Sequence, residues 1–116
     1  MKITVKGMDF DVNLLDFDTA KAYEDSIKKI DDLSMKWQKP DANRRLTDII
    51  SKGCKVVDEA IDSLFGAGTA EKLFNGKKDL LEHSKIWFEI AGEIKKGSKE
   101  ETQAINLLSA KADSNA

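Results

Sequence analysis

The chain reads as mainly α, a helical bundle of about four longer helices with an N-terminal β-hairpin. Three observations carry that reading. Apolar residues alternate with polar ones from residue 2 to residue 14, and from Asp16 onward they recur every three or four positions. The 116 residues include seven Gly and a single Pro, so little interrupts the helical stretches. Charged residues make up 34% and hydrophobic ones 41%, a mix that suits helices with one apolar and one solvated side. This length supports one domain and is too short for two. We expect that domain over residues 1–112, with a frayed tail at 113–116.

Composition narrows the function classes. A net charge of −2 gives no electrostatic basis for a nucleic-acid partner. No apolar run approaches the roughly 20 residues that span a bilayer. The start, Met-Lys-Ile-Thr-Val-Lys, lacks the apolar core and cleavage site of a signal peptide. Cys54 is the single cysteine, which suits a reducing compartment. The expectation is a cytoplasmic protein without membrane or nucleic-acid partners.

In the 2–14 hairpin, Ile3 and Val5, then Met8, Phe10, Val12 and Leu14, form the apolar side, with the turn near Lys6-Gly7-Met8. Asp16 or Asp18 caps the first helix. Its stripe is Ala20, Tyr23, Ile27, Ile30, Leu33 and Trp37, its surface pairs are Glu24–Lys28 and Asp25–Lys29, and Pro40 ends it near Lys39. Asp41 is the expected cap of the second helix, whose stripe runs from Leu46 through Ile49, Ile50, Cys54, Val57, Ala60 and Ile61 to Leu64 and Phe65. Gly53 lies within that stripe and suggests a close helix crossing. Phe65, Gly66, Gly68 and Phe74 form a structural corner. Gly66 stops the helix, and a short turn at 69–74 returns Leu73 and Phe74 to the core. Asn75-Gly76 is a turn, and a helix from about Asp79 to Gly97 follows, with Leu80, Leu81, Ile86, Trp87, Ile90, Ala91 and Ile94 as its broad apolar face. Ser98 and Glu101 have the spacing of a capping box before a last helix with Ile105, Leu107, Leu108 and Ala112.

Catalytic signals are weak. One histidine and one cysteine cannot supply a zinc-type ligand set. Cys54 lies on an apolar stripe, where it acts as a small buried hydrophobe. His83 is expected at the surface or boundary. Gly66-Ala67-Gly68-Thr69 lacks the Gly-Lys-Ser/Thr and the preceding strand of a phosphate loop. Asp58, Glu59 and Asp62 read as a solvated acidic face, and Arg44-Arg45 with Lys52 and Lys55 as a modest basic patch. No catalytic residue, metal site or cofactor is assigned.

The apolar residues are more informative. Phe10, Phe17, Trp37, Phe65, Phe74, Trp87 and Phe88 are expected to supply most of the aromatic core. Trp87 and Phe88, however, diverge by about 100° on a helix, so one narrow seam cannot take both: either one of them lies outside the core, or a wide core takes the two. Met8 at the hairpin tip has no evident internal partner. Met8, Trp87 and Phe88 are therefore the candidate protein-binding residues.

The chain also resembles small proteins encoded in tail-gene regions of phages and prophages of Gram-positive bacteria. The resemblance rests on the opening Ile-Thr-Val-Lys-Gly-Met-Asp-Phe-Asp-Val, on Leu15-Asp16-Phe17-Asp18-Thr19-Ala20 with Tyr23-Glu24, and above all on Leu64 through Phe74. Asn75 through Glu82 continue it. Relatives of this kind often carry a cysteine near position 83, where this chain has His83. The resemblance implies a non-enzymatic tail assembly chaperone that coats a tape-measure-type protein, with self-association as a possibility. The alternative is a small phage-encoded inhibitor or regulator of a host protein.

Overall fold

The computed structural model describes residues 1–97 and 99–114. Strands β1 (Lys2–Val5) and β2 (Met8–Asp11) precede helices α1 (Phe17–Gln38), α2 (Leu46–Phe65), α3 (Thr69–Phe74), α4 (Leu80–Gly97) and α5 (Lys99–Ser114). The protein is mainly α with an N-terminal hairpin, as the switch of period predicts. Ser98 of the expected capping box lies outside the described residues. Helix α5 continues to Ser114, into the stretch expected to fray, and Asn115 and Ala116 are outside the description.

The strands are shorter than the 2–14 alternation suggests. They pair antiparallel with Val5 opposite Met8, so the turn is the two residues Lys6 and Gly7. Both have positive φ, the geometry whose twist matches a hairpin. Ile3, Val5 and Val12 are buried, and β1 lies on α4. The Phe10 ring packs 4.7 Å from that of Phe65.

Asp16 is the N-cap of α1, accepting from the Thr19 backbone N–H at 3.1 Å. On the surface, Asp25 pairs backward with Lys21 at 2.7 Å, rather than forward with Lys29. The α1–α2 connection departs from expectation in two respects. Asp41 does not cap α2; it accepts from the Asn43 N–H within the loop, and α2 starts later, at Leu46 after Arg45. Arg44 is no surface patch either. Its guanidinium donates to the carbonyls of Lys36, Trp37 and Lys39 at 3.0–3.1 Å, covering the C-terminal end of α1.

Helix α2 is the central element, with α1, α3 and α4 packed around it. Gly53 is buried at a close crossing: a Cβ there would lie 2.5 Å from Leu80 Cδ1 and 2.9 Å from Trp37 Cη2. The α1–α2 seam is also tight at Ser26 and Ser63, whose hydroxyls lie 3.4 Å apart while donating to the carbonyls of Ala22 and Ala60. Gly66 ends α2 at φ 111° and ψ 152°, a region essentially reserved for glycine. Gly68, at φ 87°, starts α3. The acidic face is not wholly solvated, because Asp62 Oδ1 accepts from the Ala70 N–H at 2.9 Å and fixes the start of α3.

The core joins Ile3, Val5 and Val12 to Val57, Ala60, Ile61, Ala70, Leu73, Phe74, Ile86, Trp87, Ile90 and Ile94. Three of the expected core aromatics are absent from it: Phe17 and Phe88 are exposed, and Trp37 is half-buried at the Gly53 crossing. Helix α5 shares no extended packed face with any other element among the described residues.

Candidate functional site

Two places merit consideration, one buried and one exposed. The buried place surrounds His83. Contrary to expectation, this side chain is fully enclosed, stacked on Phe74 with ring centres 3.6 Å apart. Its Nδ1–H donates to the Asp79 carbonyl at 2.7 Å. Nε2 lies within hydrogen-bond distance of Asp58 Oδ1, at 2.9 Å. Asp58, whose side chain remains 42% exposed on the acidic face, thus ties α2 to α4. Lys6 closes the hairpin side, donating to the Leu73 carbonyl at 2.8 Å and to the Glu82 carboxylate, with its ammonium 5.5 Å above the Phe74 ring. Cys54 is buried one turn before Asp58. Burial pushes its thiol up, and the carboxylates of Asp58 and Asp79 push it further.

With both ring nitrogens engaged, His83 offers none to a substrate or metal. A buried thiol held in its protonated form is a poor nucleophile. The arrangement is suited to joining α2, α3, α4 and the hairpin. Sequence reasoning missed it because Asp58 lies 25 positions before His83 and no local pattern connects them.

The exposed place is the outer side of α4. His83, Ile86, Trp87, Ile90 and Ile94 face the core. One residue beyond Trp87, the backbone turns Phe88 outward, where it is 80% exposed. Leu81, seven residues earlier and so nearly in line with Phe88, is 65% exposed. Ser84, Lys85 and Glu89 are exposed around them. The three candidate binding residues therefore separate. Trp87 belongs to the core. Met8 is partly buried and packed against the core, so it does have an internal partner. Of the three, Phe88 alone is exposed.

Leu81, expected on the broad apolar face, is turned outward, in line with Phe88 seven residues on. Trp87 lies on the core face that its three- and seven-residue spacing to Ile90 and Ile94 indicates, a spacing that Phe88 lacks. From the Gly66–Gly68 corner, Phe65 and Phe74 pack inward. No helix among the described residues is long and apolar enough to cross a membrane. Comparison with curated proteins and with solved structures finds no match. Residues 6–113 match the model of a family of unknown function (DUF6673), and the chain belongs to that family.

Proposed function

We propose that this is a non-enzymatic protein-binding module, a phage or prophage tail assembly chaperone acting in the host cytoplasm. Its client is a tape-measure-type protein, held through an apolar stripe until the tail tube assembles. The observation that supports this reading is the outward Phe88–Leu81 pair on α4, a large aromatic and a leucine side by side on a rigid helix. Nothing in the core requires these side chains to be apolar. An amphipathic client helix laid along them would bury its own stripe, with Phe88 as the anchor. Lys85 and Glu89 beside the pair carry opposite charges, so apolar contact, rather than net charge, supplies the affinity. The engagement of both His83 nitrogens supports a role without catalysis.

The test is co-expression with the tape-measure protein from the same locus. Co-purification, with the client kept in the soluble fraction, is the expected result. A client that remains insoluble while a defined host protein is retained at fixed stoichiometry would replace this reading with the inhibitor.

A further inference from the structure

We infer that His83 and Asp58 form a proton-held latch between α2 and α4: the folded pair keeps one proton that a separate histidine and aspartate release near neutral pH, and giving it up loosens the join. Hydrogen-bond chemistry carries the inference. Nδ1 stands 2.7 Å from the Asp79 carbonyl oxygen, which can only accept, so Nδ1 bears a hydrogen. The same distance fixes the ring orientation. A ring turned over would put a carbon there, and carbon–oxygen contacts stay beyond about 3.3 Å. The single N–H of a neutral imidazole is then already used. Its Nε2 would face Asp58 Oδ1 with a lone pair at 2.9 Å, and a carboxylate oxygen has no hydrogen to give. This contact is a hydrogen bond only when a second proton lies between the two atoms. Full enclosure of His83 keeps water from taking that place, while Asp58, 42% exposed, gives the proton a way to solvent.

Titratable groups surround the pair on every side. Cys54 precedes Asp58 by one turn of α2, and Glu71 of α3 lines a small pocket with Asp58, Lys77 and Lys78. Asp79 accepts from the Glu82 N–H at the start of α4, and the Glu82 carboxylate in turn holds Lys6 of the hairpin. The carboxylates of Glu71, Asp79 and Glu82 are thus matched by the ammonium groups of Lys6, Lys77 and Lys78. The acceptors at the ring, rather than the surrounding field, retain the proton.

The latch does not depend on the client reading, and the two can fail independently. Unfolding separates the pair, and a free histidine gives up its proton at about pH 6.5. The latch therefore contributes fully below that pH and progressively less above it. Asp58→Asn reverses the dependence. Its amide can donate to a neutral Nε2, so the folded ring needs no second proton, and stability rises with pH up to about 6.5 and then stays level. The test is denaturant unfolding of wild type and Asp58→Asn from about pH 5 to 8. The ratio of their folding equilibrium constants, wild type over variant, is expected to fall at least about tenfold across that range, since one proton is worth up to tenfold per pH unit. Groups common to both proteins, such as the Cys54 thiol, cancel in this ratio. His83 is the only histidine, so its ring nitrogen signals follow the same proton by NMR. In the native wild type they should stay unmoved where those of the urea-denatured chain titrate. A ratio constant within about twofold, or native ring signals that titrate together with the denatured ones, overturns the inference. Should Asp58→Asn fail to fold, the wild-type ring signals decide by themselves.

Discussion

Trp87 and Phe88 are neighbours in sequence with opposite fates, and their substitution should read out differently. Trp87→Ala removes a buried ring beside Ile90 and is expected to cost about 3–5 kcal/mol in denaturant unfolding. Phe88→Ala should stay within about 0.5 kcal/mol of wild type, because its ring stabilises nothing inside the chain. Equal losses would contradict the assignment of core and outer faces. The His83–Asp58 contact is testable by a double-mutant cycle with His83→Phe and Asp58→Ala. A coupling of about 0.5–3 kcal/mol is expected for a directly bonded pair, and additive losses would deny the link. Cys54 should resist alkylation in the native state and react on unfolding, since its thiol is buried and biased toward the protonated form. At this scale the sequence was uneven in what it disclosed. Cys54 was legible from its place on an apolar stripe. His83 was not, because its partners come from other elements: the Asp58 carboxylate and Phe74 ring are brought together only by the α2–α3 corner.

Among the elements, the α2–α3 corner was the most legible. Two glycines between apolar runs specify a stop and a reversal without reference to the rest of the chain. Gly66→Ala is expected to destabilise by about 1–3 kcal/mol, solely through the backbone conformation, because nothing lies within 4 Å of the added methyl group. Gly53→Val should cost a similar amount for the opposite reason, overpacking against Leu80 and Trp37. The start of α2 was misread because local chemistry offered Asp41 as a cap, while the chain uses the intervening residues to bring Arg44 onto the end of α1. That choice depends on where α1 stops in space, which a local window does not contain. The hairpin carries a pH dependence. Hydrogen bonds from Thr4 and Lys2 hold the Asp9 carboxyl below its ordinary value of 3.8. Its contribution is therefore present above that value and lost as pH falls through the lower folded-state value. Amide shifts of Thr4 and Asp9 should move together in that range, and independent movement would argue against the cross-strand contact.

For the whole molecule, period and composition were enough to disclose the fold class, because four long helices and a hairpin each have a local signature. They did not disclose which helix stands apart. The radius of gyration is 17.2 Å, against about 13 Å for a compact chain of this length. The long axis is 62 Å, and α5 shares no extended packed face with the core among the described residues. Amphipathicity says that α5 needs a surface but not whose, and for that reason the sequence placed it with the bundle. The resulting molecule has a buried core and an exposed apolar pair on the far side of α4. The central claim is that Phe88 on the outer face of α4 anchors the client, and titration of the purified client helix with wild type and Phe88→Ser tests it most directly. The account predicts a loss of affinity of about thirtyfold or more with no change in melting temperature, the signature of an interface anchor. Equal affinity in the two proteins would contradict it.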